Sequence, residues 1–565
     1  MSDKLDKQQR AALMFASTPE DGVRLLAGLP AKDAYDLLFE SPEPEKVVAL
    51  IPAETLYLLL HEIGASDALA LLEFASTEQV QSFFDIDCWD RDRLSMPKTR
   101  TWMLLLNEID DESFIRHVRE MDLAMLVCFF RQHLDLYKIE NIDDEITQDG
   151  GGFLTPDGRH LIIYTCGDKH AQLINALLMR TYILDFNFFM LLIEAIYWET
   201  TSEVEETAYQ ERVNRLEYRG FPDFYAALEI LATVDVAHFA PPRKLAPPPI
   251  AEAPGAPLSG STYLTRFEHA ASLLRRLLAE NFLGCDDIAV EIMRLANMAI
   301  VADQTSFVEI ERVRRLVART DGFLNIGLQY LAGDELAAGR ETLLNVRAID
   351  LHKIGRSLVV ALARRARALL PHAALDRRSA DRLLLDGPER DLVYGLMQKD
   401  LLRLSNGREE FWTELQQVRA AEIQLTVIER FVGLMHDGLG FTPDFVNSLP
   451  LIQTNIGNPA ELPYRVLFNT FRCHDLLGRT PAPTALSRAD LDALAERLVF
   501  TAGGRPEFPA AVRATLREWL AAQAGEPVGP LWTIFARFDD RLSAELSRTD
   551  LPPHLRHEVL TKVGN

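Results

Sequence analysis

The chain has 565 residues, which is too long for one hydrophobic core and predicts about two to four domains. Apolar residues make up 48% of the chain and charged residues 25%, as in water-soluble globular proteins. Residues 1–240 hold 43 acidic and 20 basic residues, whereas residues 241–565 hold 40 and 39. Most of the net charge of −24 therefore lies in the first part, which repels nucleic acids and anionic membranes, and we expect no nucleic-acid partner.

Targeting signals and membrane spans are not predicted. Met1–Arg10 is charged and polar, unlike a signal peptide. The longest apolar run, Phe186–Trp198, is shorter than the roughly 20 residues of a membrane span and contains Glu194, so it predicts a buried core helix. The cysteines are scattered and form no CxxC pair, which indicates free thiols and a cytoplasmic protein; they are Cys88, Cys128, Cys166, Cys285 and Cys473.

The N-terminal hundred residues read as short helices separated by prolines. Leu29–Leu38 recurs 22 residues later as Ile51–Leu60, with Pro, Ala, Tyr and a Leu-Leu pair in matching positions, and Ala75–Phe84 is a looser third copy. Each unit is apolar on one side only, so neighbouring units must stack to bury a core. This pattern predicts an α-solenoid of helical repeats.

Three features carry a resemblance to known families: these repeats, the segment Asp85–Arg93, and the turn Thr155–Arg159. The first 130 residues or so resemble the cytosolic helical domain of MgtE-type magnesium transporters and the helical repeats of flagellar motor-switch proteins. No transmembrane block follows, which excludes transport. The whole chain resembles a family of uncharacterised bacterial proteins known as a domain of unknown function. That resemblance implies an architecture but no chemistry.

The order of the predicted elements gives two domains and a linker. Residues 1–239 form an acidic helical-repeat domain with one β-hairpin near 153–165, where Thr155-Pro156-Asp157-Gly158 is a turn; we expect this hairpin to be nearly the only sheet. Residues 240–261 hold seven prolines and form a Pro-rich linker. Residues 262–565 form a second helical domain rich in Ala, Leu and Arg, in which Ser487 and Asp490 cap a helix predicted over Leu491–Phe500. The fold class is mostly all-α.

Four carboxylates in one short segment are candidate metal ligands: Asp85, Asp87, Asp90 and Asp92. An EF-hand loop starting at Asp85 would need Gly at its sixth position and Glu at its twelfth, but these are Asp90 and Met96. A site for Mg²⁺ or Ca²⁺ with few protein ligands stays open, because Mg²⁺ retains several waters.

The same segment has a purely structural interpretation. Asp85 or Asp87 caps a helix, and Asp90 and Asp92 pair with nearby cations, while Trp89 fills a gap between helical layers. The cations within reach in the sequence are Arg91, Arg93 and Lys98.

Catalytic and cofactor motifs are missing from the sequence. Gly150–Gly152 lacks the Lys-Ser/Thr of a P-loop, and no G-x-G-x-x-G, H-E-x-x-H or G-x-S-x-G motif occurs. Cys473-His474-Asp475 cannot form a relay, since adjacent residues on a helix point in different directions. We therefore expect no cofactor other than a weakly bound Mg²⁺ or Ca²⁺.

Two groups of arginines distinguish the second part. They can pair with nearby carboxylates on the surface, dock onto the acidic first domain or an acidic partner, or bind RNA or DNA, in that order of preference. Their members are Arg312, Arg314, Arg315 and Arg319, and then Arg364, Arg365, Arg367, Arg377 and Arg378.

Three functional hypotheses follow. The first is a non-enzymatic interaction or scaffold protein with an unidentified protein partner, because stacked helices offer extended surfaces. The second is a regulatory protein whose acidic first domain responds to Mg²⁺ or Ca²⁺. The third is an enzyme whose site is assembled from dispersed residues.

Overall fold

A computed structural model describes residues 31–139, 153–244 and 272–563, except for residues 42, 65, 281, 283, 306–308, 377–378, 406 and 525–527. The start of the first repeat unit, the glycines at 150–152 and most of the predicted linker lie outside the described residues. Arg377 and Arg378 also lie outside them.

The first part of the chain consists of short helices followed by a small sheet and three longer helices. The helices are α1 (Ala31–Phe39), α2 (Pro44–Leu50), α3 (Ala53–Ile63), α4 (Leu69–Phe74), α5 (Thr77–Asp87), α6 (Met96–Glu108), α7 (Asp111–Glu120), α8 (Leu123–Arg131), α9 (Asp168–Leu184), α10 (Phe186–Trp198), α11 (Thr201–Tyr218) and α12 (Phe224–Ala227). A short 3₁₀ turn, Leu228–Leu231, follows α12.

The repeated sequence units are helices, as predicted. The second unit forms α3, and Pro52 is its N-cap, one position before the first helical residue. α5 begins with a capping box, in which the Ser76 hydroxyl accepts from the Gln79 amide and the Gln79 side chain accepts from the Ser76 amide. These local signals set where the short helices begin.

One apolar core joins helices α1 to α11 and runs from Ala34 to Ala208. At its centre the ring of Trp102, on α6, lies 5.4 Å from Phe83 and 6.0 Å from Tyr57. Aromatic rings at such distances add to the free energy gained from burying their area.

A three-stranded antiparallel sheet lies between α8 and α9, with the order β3 (Leu134–Lys138), β5 (His160–Tyr164), β4 (Phe153–Leu154). The predicted hairpin is the β4–β5 pair, and the Gly158 amide donates to Thr155 at its turn, where Gly158 has φ +72°. β3 adds a third strand, with Lys138 opposite His160.

The expectation that this hairpin is nearly the only sheet is wrong. Three further ribbons of two short strands occur among the described residues: β1 (Trp89–Asp90) with β2 (Arg93–Leu94), β6 (Arg403–Ser405) with β7 (Arg408–Glu410), and β8 (Val499–Phe500) with β9 (Pro506–Glu507). Strands of two or three residues are too short to give a period-two sequence pattern.

The second part is also helical. Its helices are α13 (Leu273–Ala279), α14 (Cys285–Asp303), α15 (Ile310–Ala332), α16 (Leu336–Asn345), α17 (Ala348–Ala368), α18 (Leu370–Ala373), α19 (Gly387–Met397), α20 (Leu415–Gly433), α21 (Pro443–Ser448), α22 (Tyr464–Leu476), α23 (Arg488–Ala495), α24 (Ala510–Ala524) and α25 (Gly529–Leu546). A π-helical turn, Leu434–Gly438, continues α20. Short 3₁₀ turns lie at Ala380–Arg382, Pro459–Glu461 and Pro553–Leu555.

Glycines allow the two long helices α15 and α17 to pack backbone against backbone. A Cβ atom at Gly327 would overlap the carbonyl oxygen of Leu351, and one at Gly355 would overlap that of Phe323. Only glycine fits such an approach.

The last residues of the predicted first domain contact the second part. Ile230 packs with the cluster that contains Leu273 and Leu351, and the Val234 amide donates to the Ser357 hydroxyl at 2.9 Å. The division at residue 239 stays a prediction. The mostly all-α class is established, and no described helix has the length and apolarity needed to cross a membrane.

Candidate functional site

The four candidate aspartates lie around the end of α5 and the β1–β2 ribbon. Asp85 and Asp87 occupy the last turn of α5, so neither is an N-cap. Asp90 is in β1, and Asp92 is in the turn that leads to β2. Among the described residues, no group of three or more His, Cys, Asp or Glu is arranged to hold a metal ion.

Asp85 is a buried partner of Arg215 on α11. Its side chain is 2% exposed, and both carboxylate oxygens accept from Arg215, at 2.7 Å from Nε and 2.9 Å from Nη2. Gln81 donates to the same carboxylate at 3.0 Å, and Arg212 donates to the Asp85 backbone carbonyl at 2.8 Å. A two-pronged Arg–carboxylate pair of this kind fixes orientation as well as charge.

The Asp85 network ties three helices of the first part together. Arg215 also contacts Asp122, the N-cap of α8, at 2.9 Å. Burial lowers the pKa of Arg215, but the hydrogen bond to Asp85 raises it, and the net change is upward. Arg215 therefore stays charged, and its charge balances carboxylates on α5 and before α8.

Asp87 and Asp90 have partners close to them in the sequence, whereas the predicted pairing of Asp92 with a nearby cation stays a prediction. Asp87 accepts a hydrogen bond of 3.0 Å from Trp102 Nε1. Lys98 Nζ lies 3.9 Å from Asp87 and 3.6 Å from Asp90, which agrees with the predicted pairing of Asp90. Trp89 is buried and packs against Tyr209 of α11 at 6.2 Å, as expected of a residue that fills a gap between helices.

Five arginines of the two predicted groups, namely Arg312, Arg314, Arg315, Arg319 and Arg365, pair with nearby carboxylates, the first of the three predicted roles. Arg314 pairs with Glu311 at 2.7 Å, Arg315 with Glu409 at 3.0 Å, and Arg365 with Glu429 at 2.8 Å. None of these three arginines bonds to the first part among the described residues.

Helices α10 and α11 and the link between them carry one indole and four carboxylates that are wholly or partly exposed, which we call the acidic–aromatic surface: Glu194, Trp198, Glu199, Glu203 and Glu206. Asp185 caps the start of α10 by accepting from the Phe188 amide at 3.0 Å. One face of α10 is buried in the apolar core of the first part. Its other face is open to solvent, and the Trp198 side chain is 67% exposed.

One hydrogen bond and ring contacts hold the indole of Trp198 in place. Its Nε1 donates to Glu194 at 2.8 Å, and the ring of Tyr197 packs edge-on against it at 4.8 Å. Lys138 of β3 lies 5.8 Å from the indole centroid, the only cation recorded over this ring among the described residues. The exposed aromatic ring is thus pre-ordered, which lowers the entropy lost on binding.

The acidity of this surface arises because the nearby arginines point inward. Residues 186–218 contain seven glutamates and two arginines. The two arginines, Arg212 and Arg215, donate to Asp85 in the interior. The charge presented to solvent by α10 and α11 is therefore negative.

His160 lies beneath the acidic–aromatic surface. Its side chain is buried, and neither ring nitrogen has a hydrogen-bond partner among the described residues. Nε2 is 3.9 Å from Glu194 Oε1, and the ring is 6.1 Å from that of Tyr197. Burial lowers the pKa of His160 more than Glu194 raises it, so the ring is neutral near pH 7.

Comparison with protein families shows which family the chain belongs to. Residues 13–558 match a family of unknown function, DUF6178. The chain belongs to this family. Curated proteins and solved structures give no match. Membership of DUF6178 agrees with the resemblance to a domain of unknown function, whereas the MgtE-type and flagellar resemblances stay predictions.

Sequence reasoning missed the residues that organise the DUF6178 chain around Asp85. Arg212 and Arg215 lie about 130 residues from Asp85, and no local pattern connects them. The spacing of Arg212 and Arg215 on one helix face, beside a run of glutamates, is the one signal that points to an internal role.

Proposed function

We propose that this protein is a non-enzymatic interaction protein that binds a basic segment of a protein partner on its acidic–aromatic surface. The observation that carries the proposal is an exposed, pre-ordered Trp198 among carboxylates whose neighbouring arginines are turned inward. Lysine and arginine side chains bind both to carboxylates and to the face of an indole.

Charge complementarity supports a basic partner and disfavours nucleic acid. The phosphate backbone would be repelled by Glu199, Glu203 and Glu206, whereas a Lys- or Arg-rich segment would be attracted from solution. At protein–protein interfaces, aromatic side chains surrounded by polar residues are typical of the positions that contribute most of the binding free energy.

Peptide binding tests the proposal directly. A short fluorescein-labelled Lys/Arg-rich peptide is titrated with the full-length protein, and fluorescence anisotropy is recorded at low and high salt. We expect saturable binding that weakens with salt. Trp198→Ala should weaken it about tenfold, or ~1.4 kcal/mol.

Matched controls separate this surface from general acidity. Tyr225→Ala removes another exposed aromatic side chain, which lies on α12, and Glu217→Gln removes a carboxylate near the far end of α11. Neither should change binding by as much as Trp198→Ala or the pair Glu203→Gln/Glu206→Gln. Equal binding of a Glu-rich peptide, or equal effects of all variants, would contradict the proposal.

The proposal also includes an α-solenoid of stacked repeats in the first part and a cytoplasmic location. The packing of α1 with α3, α2 with α4 and α3 with α5 supports stacked repeats and an α-solenoid. The cysteines support a reducing, cytoplasmic location, because none of the five is in a disulfide. Cell fractionation against a cytoplasmic marker checks the location.

A further inference from the structure

A polar cleft of about 470 Å³ opens in the second part of the molecule. It lies between the end of α14, the first half of α15, and the turn after α19 with the β6–β7 ribbon. Its volume is in the range of pockets that hold small molecules. Its walls carry four cations, Arg312, Arg315, Arg319 and Lys399, and also Leu402 and Phe411.

Asp303 holds two of these cations side by side. It accepts from Arg312 Nε at 3.0 Å and Nη2 at 2.5 Å, and from Lys399 Nζ at 2.8 Å. Its side chain is 10% exposed, while those of Arg312 and Lys399 are 44% and 73% exposed. One carboxylate therefore positions two cationic groups at the cleft, of which Arg312 also pairs with Glu309 through Nη1 at 3.4 Å, while Lys399 keeps donors open to a ligand.

The two remaining arginines also retain donors. Arg315 pairs with Glu409, which is 54% exposed, and Arg319 pairs with Asp400. A pair as exposed as Arg315–Glu409 contributes little to stability, so an anion can replace Glu409 at little cost. Arg315 also lies 5.7 Å from the ring of Phe411, which makes a mixed cationic and aromatic wall.

Positive charge accumulates behind Arg319. The adjacent α17 carries Arg356, which donates to the Leu231 carbonyl and has no carboxylate partner among the described residues. Burial lowers the pKa of Arg356, and the charges of Arg319 and Arg364 lower it further. Burial, Arg356 and Arg319 also keep the buried His352 neutral, with a pKa of about 3.

The backbone is held in an uncommon conformation on both sides of the cleft. Gln304, next to Asp303, has φ +55°, and Leu401, next to Asp400, has φ +53°. Residues other than glycine rarely adopt a positive φ. Those that do are concentrated at functional sites, where the surrounding structure holds the backbone in place.

We propose that this cleft binds a phosphorylated small molecule, with Arg315, Arg319 and Lys399 on the phosphate and Phe411 beside a ring of the ligand. A phosphate dianion accepts from several cations at once, which suits donors that arrive from α15 and from the turn after α19. Leu402 adds an apolar wall for the uncharged portion. The proposal is independent of the acidic–aromatic surface.

Isothermal titration calorimetry on the full-length protein tests the proposal, with AMP, pyrophosphate and citrate as separate probes at matched ionic strength. We expect saturable binding of AMP and pyrophosphate. Arg315→Gln combined with Lys399→Gln should weaken both by about tenfold or more. Both side chains are largely exposed, so the variant should fold, and an unchanged thermal unfolding midpoint verifies this.

Arg314→Gln is the matched control, because Arg314 neighbours Arg315 on α15 but pairs with Glu311 and does not line the cleft. It should bind AMP and pyrophosphate as the unaltered protein does. The proposal is overturned if neither probe binds saturably, if Arg314→Gln weakens binding as much as the double variant, or if the double variant binds normally. Citrate binding as tight as that of pyrophosphate would overturn the assignment to phosphate.

Discussion

Two pairs of arginines, one in each part of the molecule, are placed in opposite ways. In the first part, Arg212 and Arg215 turn inward to Asp85, and the glutamates of the same helix are left facing solvent. In the second part, Arg314 and Arg315 stay at the surface and pair with exposed glutamates. The charge that α11 presents to solvent thus depends on where its arginines point as well as on how many there are.

The same comparison separates charges that stabilise the fold from charges that are free for binding. A buried charge that loses its partner is costly, whereas an exposed pair contributes little. We therefore expect substitutions at Arg215 to change stability and substitutions at Arg315 to change binding.

The largest effect is expected when the buried pair is broken. Arg215→Met leaves the carboxylate of Asp85 in the interior without its cation, and the free energy of unfolding should fall by about 3–5 kcal/mol. Urea unfolding followed by circular dichroism measures it. Arg314→Met, which breaks an exposed pair, should cost less than about 1 kcal/mol. Similar losses for the two variants would contradict the distinction between the buried and the exposed pair.

The close helix crossing of the second part gives the next largest effect. Gly355→Ala places a methyl group against the Phe323 carbonyl, and we expect a loss of about 3 kcal/mol as α15 and α17 separate. Gly433→Ala, at the end of α20 where no atom is within 4 Å of the added methyl, should instead be neutral or stabilising by up to about 1 kcal/mol. Thermal and urea unfolding measure the stability of both variants. An equal loss of unfolding free energy in the two would show that α15 and α17 can move apart without cost.

Acid sensitivity should come from buried histidines. Both ring nitrogens of His117 have a hydrogen-bond partner: Nε2 donates to the Leu72 carbonyl at 2.9 Å, and Nδ1 lies 3.3 Å from Thr77 Oγ1. Burial lowers the pKa of His117 from 6.5 to about 4. Because the folded pKa lies below the unfolded one, the unfolded chain binds the proton first. The free energy of unfolding therefore falls as the pH decreases from 6.5 to about 4. Below pH 4, protonation of His117 lowers it no further.

The contribution of His117 over that pH range is about 2–3 kcal/mol. Urea unfolding at pH 6.5 and pH 4.5 measures it in the unaltered protein and in His117→Gln, which cannot titrate. The variant should lose less stability between the two pH values. An identical loss in both proteins would assign the acid sensitivity to the carboxylates instead.

Local signals account for the parts of the fold that the sequence predicts. The apolar run Phe186–Trp198 is helix α10, although only one face of it is buried and not the whole helix as predicted, and the Ser487–Asp490 pair is the capping box of α23. Helix α23 also shows the limit of such signals. The sequence predicts that it reaches Phe500, but it ends at Ala495, and Phe500 belongs to a two-stranded ribbon. Capping and periodicity act over a few residues, which is why they can be read directly.

Contacts between distant segments could not be predicted. The Asp85–Arg215 pair spans 130 residues, and the cleft cations come from α15 and from the turn after α19. The four aspartates looked like one group in the sequence, yet Asp85 faces α11 while Asp87 and Asp90 face Lys98. Which neighbour a side chain meets depends on helix packing, and a single sequence does not contain that information.

The smallest effect is expected from divalent ions at these aspartates. Asp85 and Asp87 already accept hydrogen bonds from Arg215 and Trp102, so an ion would have to replace those donors. We expect the radius of gyration from small-angle scattering to be the same in EDTA and in millimolar Mg²⁺ or Ca²⁺ at matched ionic strength. Asp90→Asn with Asp92→Asn should not change it and should alter stability by less than about 0.5 kcal/mol, since Asp90 and Asp92 are exposed. A saturable compaction that this variant abolishes would instead support a protein that responds to divalent ions, with the ribbon after α5 as its sensor.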